Sequence, residues 1–193
     1  MTKQRLEAFS DGVIAILITI MVLELKVPHG GDWHALASVG TKFWAYVLSF
    51  AFVGIYWNNH HHLFHLVPKV NGRILWANLH LLFWLSLVPV TTGWLGEHVE
   101  PLPAAIYGAV LAMCAVAWLI MQTAILSHQG PESQLAAVLG GDVKGKLSMA
   151  GYLVAIPLAF ANPWFSIALY VVVALVWLIP DRRIESHIHA IGE

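Results

Sequence analysis

Residues Arg5 to Leu25 read RLEAFSDGVIAILITIMVLEL, a long apolar run with Arg5, Glu7, Ser10 and Asp11 at its mouth. Such a run is long enough to cross the roughly 30 Å hydrocarbon core of a bilayer as a helix. Wound at about 100° per residue, Phe9, Gly12, Val13, Ile16, Thr19, Ile20 and Leu23 share one stripe, with Arg5 at its lower end, while Asp11 points almost the other way. A carboxylate at that depth costs roughly 2.5–3.5 kcal/mol on insertion scales, so Asp11 is expected to face protein or water rather than lipid. The helix therefore has two protein-facing sides. One is aliphatic with a single threonine; the other needs polar partners from elsewhere in the chain.

The rest of the composition agrees with a membrane setting. The 193 residues are 59% hydrophobic and 11% charged, with a mean hydropathy of +0.71, outside the range of a soluble domain. The net charge is −1, and no basic run exceeds Arg182-Arg183, so nothing points to nucleic acid. Cys114 is the single cysteine and can form no intrachain disulfide. Glu24-Leu25-Lys26 is not a small-residue cleavage site, and the first run is read as a retained span.

Apolar runs of membrane-crossing length predict an all-α integral membrane protein, residues 1–193 forming one domain of six spans near 7–27, 41–66, 73–95, 102–127, 146–162 and 164–180. The last two are separated by Asn162-Pro163 and predict a tight helical hairpin. The stretches 28–41 and 127–145 are expected to be the sizeable loops. Pro89 and Pro157 fall inside spans, which membrane helices tolerate when neighbours satisfy the freed carbonyls. With six spans both termini share a side, which collects Lys3, Arg5, Lys69, Arg73, Lys144, Lys146, Arg182 and Arg183, against Lys26 and Lys42 on the other. That asymmetry predicts cytoplasmic termini. Trp33, Trp44, Trp94 and Trp164 stand near span ends, as an interfacial belt requires.

The second span ends in Trp57-Asn58-Asn59-His60-His61-His62-Leu63-Phe64-His65, with Trp57, His60, His61 and Phe64 on one face. The third carries Asn78 on the stripe Leu75, Asn78, Leu82, Leu85. Both reach the level of Ser10 and Asp11. The expectation is a buried network in which Asp11 accepts from a histidine or tryptophan N–H, with Arg5, Ser10 and Asn78 nearby, because such groups are costly to leave alone in lipid. His61 and His65, at i and i+4, also admit a metal reading, although no carboxylate stands at matching spacing on that helix. The histidines could alternatively carry or sense protons.

Arg5, Phe9-Ser10-Asp11-Gly12-Val13, Ala15-Ile16, Thr19 and Leu23, at these spacings, resemble the first-helix signature of the transmembrane protein 175 family of potassium channels. Trp57-x-x-His60 with Leu63-Phe64, and Leu75-x-x-Asn78-Leu79 running to Pro89, resemble the family's next two spans. The resemblance implies a homotetramer in a lipid bilayer, as in prokaryotic single-repeat members, with localisation to the inner membrane. It implies a central pore lined by four copies of the first helix, with Ile16, Ile20 and Leu23 as hydrophobic rings and Thr19 as a polar layer. It also implies that Arg5, Phe9, Ser10 and Asp11, with Trp57, His60 and Asn78, hold that helix in place. Potassium, with other monovalent cations, would be the permeant ion, and no cofactor, resident metal or enzymatic activity is implied. No T-V-G-Y-G loop is present to replace a hydration shell with carbonyls, so a narrow aliphatic constriction would gate by wetting and dewetting, with modest selectivity. Two other classes stand beside this one. A proton channel or proton-coupled carrier would use Asp11 and the His60/His61 cluster, and a membrane metalloenzyme would be built on His60, His61 and His65.

Overall fold

The computed structural model describes residues 2–130, 133 and 142–178. Arg182, Arg183, the end of the sixth expected span and most of the 127–145 linker lie outside them. The described residues form α1 (Lys3–Leu23), α2 (Trp33–Ser38), α3 (Gly40–His65), α4 (Gly72–Ser86), α5 (Val88–Glu97), α6 (Pro101–Gln129), α7 (Val143–Ala161) and α8 (Pro163–Leu178), with no strand among them. Lys3–Leu23, Gly72–Glu97 and Pro101–Gln129 are long and apolar enough to cross a membrane. The other three rods are more polar or shorter: α3 starts with Lys42 and ends in its Asn/His run, α7 opens with Lys144 and Lys146, and α8 has 16 described residues.

Helix ends follow local chemistry. The first helix runs 3–23 rather than 7–27, stopping where Leu25 N–H turns back to the Val22 carbonyl, three residues before Pro28. The expected loop at 28–41 contains α2, whose N-terminus is capped by the Asp32 carboxylate accepting from Ala35 N–H at 2.8 Å. The expected span 73–95 is a rod broken at Leu87. Pro89 sits in the first turn of α5, where its missing N–H is tolerated but its ring disfavours a straight continuation of α4. The Leu87 N–H turns back to the carbonyls of Trp84 and Leu85, which covers the carbonyl that Pro89 leaves without a donor, and the Thr91 and Thr92 hydroxyls donate to carbonyls of Leu87 and Val88. α6 ends at Gly130, whose φ of 88° glycine adopts freely. Asn162 closes α7, and its side chain accepts from Trp164 N–H at 2.9 Å, so the α7–α8 hairpin turns on two residues.

Two cores hold the helices together. One joins α1, α3, α4 and α6 through Ile14, Leu17, Met21, Phe64, Leu81 and Met121. The other joins α3, α5, α6, α7 and α8 through Phe52, Leu95, Tyr107, Tyr152 and Tyr170. α3 and α6 each contribute to both. At Gly108 an added Cβ would run into the Tyr170 hydroxyl, so the close approach of α8 to α6 requires glycine there. That hydroxyl donates to the Ala104 carbonyl at 3.0 Å, which keeps a buried polar atom satisfied.

Candidate functional site

α1 presents two faces with different fates. Leu6, Ser10, Ile14, Leu17 and Met21 are buried against the bundle. On the other side Phe9, Ile16, Ile20 and Leu23 are uncovered, Ile16 at 56% exposure and Leu23 at 80%, and Thr19 is exposed with them. Thr19 Oγ1 donates to the Ile16 carbonyl at 2.9 Å. With its proton used locally, the oxygen's lone pairs are left to act as an acceptor. Gly12 has nothing within 4 Å of where a Cβ would stand, so a second helix can approach this face closely.

The polar groups behind and beside that face form two separate sets rather than one network. In the first, Asn78 Nδ2 donates to Ser10 Oγ at 2.9 Å, Ser10 Oγ donates to the Leu6 carbonyl at 2.9 Å, and Asn78 Oδ1 meets His60 Nε2 at 2.8 Å. The Asn78 carbonyl can only accept, so His60 carries its proton on Nε2. All three residues are buried, and they tie α1, α4 and α3 at one level. His60 also stacks on Phe64 at 4.5 Å between ring centroids. In the second set, Trp57 Nε1 donates to Asp11 Oδ1 at 3.0 Å. Asp11 is only half-buried and Trp57 is exposed, so this pair lies at the edge of the protomer. Asp11 does accept from a tryptophan N–H, as expected, but the expected single buried network is two sets, because the helix turn from residue 10 to 11 sends the two side chains to different neighbours. Arg5 and Phe9 take part in neither set and are exposed.

The histidine cluster is divided in the same way. His60 is buried, whereas His61 stacks beside Trp57 and is exposed, as is His65. Among the described residues no group of three or more histidine, cysteine, aspartate or glutamate side chains is placed to hold a metal ion.

Sequence reasoning missed two features. Lys42 Nζ and Lys26 Nζ converge on Glu97 Oε1 at 2.7 and 3.5 Å, so both lysines at that end of the bundle share one carboxylate. Their separation in sequence hid the cluster. Behind Met21, Thr92 Oγ1 lies 2.6 Å from Ser49 Oγ, which is 2.9 Å from the Tyr107 hydroxyl. This buried link joins α5, α3 and α6. Isolated serine and threonine residues in apolar runs gave no signal for it.

Comparisons with known proteins fit this arrangement. The sequence profile of the family described as "Endosomal/lysosomal potassium channel TMEM175" matches residues 5–89, the segment that contains every residue of both polar sets. A protein named as a potassium channel from Chryseobacterium sp. (strain P1-3) is 54% identical over 187 residues, 96% of this chain and 97% of its own length. The human protein named "Endosomal/lysosomal proton channel TMEM175" is 31% identical over 84% of this chain, which corresponds to 36% of the human protein. A crystal structure described as a lysosomal potassium-selective channel TMEM175 homolog from Chamaesiphon minutus superposes with a TM-score of 0.79 at 29% identity, covering 92% of this chain and 96% of that one.

Proposed function

The chain belongs to the TMEM175 family of ion channels, and on that premise we propose that it conducts potassium passively along an axis enclosed by α1 from four copies of the chain. It is a channel and not an enzyme. The observation that carries the reading is the uncovered stripe Ile16, Thr19, Ile20, Leu23, on a helix whose opposite side is fixed by the Ser10–Asn78–His60 set. A close-approach glycine on that stripe, and a half-buried carboxylate on a different side of the same helix, suit a helix that meets protein and water better than one bathed in acyl chains.

In such a ring Ile16, Ile20 and Leu23 form hydrophobic constrictions, and four Thr19 oxygens form the one layer able to accept a cation. Conduction requires the constriction to widen and wet. Potassium is preferred over sodium because it gives up part of its hydration more cheaply, and selectivity is modest. The membrane is the inner membrane of a prokaryotic cell. The end carrying Lys3, Arg5, Lys69 and Arg73 faces the cytoplasm, and Glu97 neutralises much of the basic charge at the other end.

Reconstitution into liposomes with a potassium gradient tests the proposal. It predicts potassium flux without a coupled co-ion, smaller flux when sodium replaces potassium, and a particle with the mass of four chains. Flux that needs a counter-transported ion, or a conducting monomer, contradicts it. The human relative's name favours a second reading, proton conduction. Proton flux that persists with potassium absent and falls in His60→Ala would favour that reading.

A further inference from the structure

On the outer side of the protomer α4 and α6 leave a groove of about 660 Å³. Arg73, Trp76 and His80 line it from α4, and Val116, Ile120 and Thr123 from α6. It draws on no residue of α1. Between Val116 and the far end at Ser127 the groove follows α6 for eleven residues, about 16 Å at 1.5 Å per residue. That is close to half of the roughly 30 Å hydrocarbon core, the depth of one leaflet.

Polarity changes along this length. Arg73, in the first turn of α4, stands at one end, exposed and with no carboxylate partner among the described residues. Trp76, one turn deeper, is 75% exposed, and its indole N–H has no acceptor among the described residues. Beyond it two polar groups are engaged on one side each, His80 keeping a further donor at Nδ1. His80 Nε2 accepts from Trp84 N–H at 2.9 Å, and the Thr123 hydroxyl donates to the Leu119 carbonyl at 2.7 Å. The rest of the wall, Val116, Leu119, Ile120 and Ala124, is aliphatic. The groove thus offers a cation where a phosphate sits, an indole donor at the depth of ester carbonyls, and an apolar slot one leaflet long.

We propose that the α4–α6 groove seats an anionic phospholipid, its phosphate against Arg73 and one acyl chain between Trp76 and Ile120. Charge complementarity selects the headgroup, because ion pairs between described residues all lie at the opposite end of the bundle, leaving Arg73 to a charge from outside the chain. The matched length selects a lipid of one leaflet.

Native mass spectrometry of the full chain, delipidated and then exposed to equal phosphatidylglycerol and phosphatidylcholine, tests this without reference to ion flux. The wild type is expected to retain phosphatidylglycerol about fivefold over phosphatidylcholine, the effect of roughly one basic side chain at a membrane surface. Arg73→Gln is expected to abolish that preference while total bound lipid stays unchanged, and Ile120→Trp, which fills the slot, to reduce retention of both lipids. Equal retention of the two lipids by the wild type, or an undiminished preference in Arg73→Gln, overturns the proposal. Arg73 is exposed, so its variant folds as the wild type does, and a thermal melt checks this. In the wild type, brominated phosphatidylglycerol should quench fluorescence that Trp76→Phe removes; quenching unchanged by that substitution also overturns it.

Discussion

α1 and α6 are both apolar helices long enough to cross a bilayer, yet 28% of the apolar window of α1 is buried inside the protomer and 67% of that of α6. Hydropathy does not separate them. Charge does: α6 has no Asp, Glu, Lys or Arg between Pro101 and Gln129, whereas α1 carries Lys3, Arg5, Glu7 and Asp11. A helix without charge can be surrounded by apolar side chains, and α6 fills both cores with Leu111, Cys114, Met121 and Ile125. A helix with charge at its mouth keeps those groups toward protein or water, and its aliphatic stripe is left uncovered by the protomer. The lesson is that α6 is spent on packing within the subunit, while α1 keeps one face free of it.

Substitutions can break this contrast or sharpen it. The largest loss of stability is expected at Asn78→Leu, which strands the buried His60 ring N–H at about 1–3 kcal/mol and replaces a buried amide, while Ser10 keeps its bond to the Leu6 carbonyl. Denaturation in detergent would measure it, and a variant as stable as wild type would mean that the set does not anchor α1. Gly108→Ala should cost about 1–3 kcal/mol by overpacking against Tyr170. Replacing Tyr170 by Phe in the same chain should recover part of that loss. On α1 the pattern reverses. Ile16→Asn and Leu23→Asn lie on uncovered positions and should change protomer stability by no more than about 0.5 kcal/mol. Conductance should rise and potassium-over-sodium discrimination should weaken, because a polar ring wets more readily. Unchanged single-channel currents in both would count against this lining. The smallest effect is expected for Glu97→Gln, which frees Lys26 and Lys42 at an exposed site. Any loss of thermal stability should vanish as salt is raised.

Much of this was legible in the sequence, for identifiable reasons. The stripe of Ile16, Thr19, Ile20 and Leu23 follows from helical period alone, and the turn at Asn162-Pro163 from the backbone chemistry of its two residues. The short helix α2 was not legible, because six residues give no periodic signal that stands out from the loop around them. The break at Leu87 was hidden because Pro89 inside an apolar run is compatible with either a straight or a broken rod. The division of the polar residues into Ser10–Asn78–His60 and Asp11–Trp57 was not readable. Adjacent positions 10 and 11 differ by about 100° around α1, and which neighbour each meets depends on where α3 and α4 dock. The convergence of Lys26, Lys42 and Glu97 is tertiary for the same reason.

The contrast between the two helices rests on what meets the uncovered face of α1 in the membrane. Leu23→Cys, examined in liposomes with Cys114 left in its buried place, addresses this directly through potassium flux before and after a membrane-impermeant thiol reagent. A water-lined axis predicts rapid modification and loss of most of the flux, with Leu153→Cys on exposed α7 as an unaffected control. A Leu23→Cys channel that resists the reagent, or reacts and conducts as before, would mean that α1 turns this face to lipid and that ions travel elsewhere.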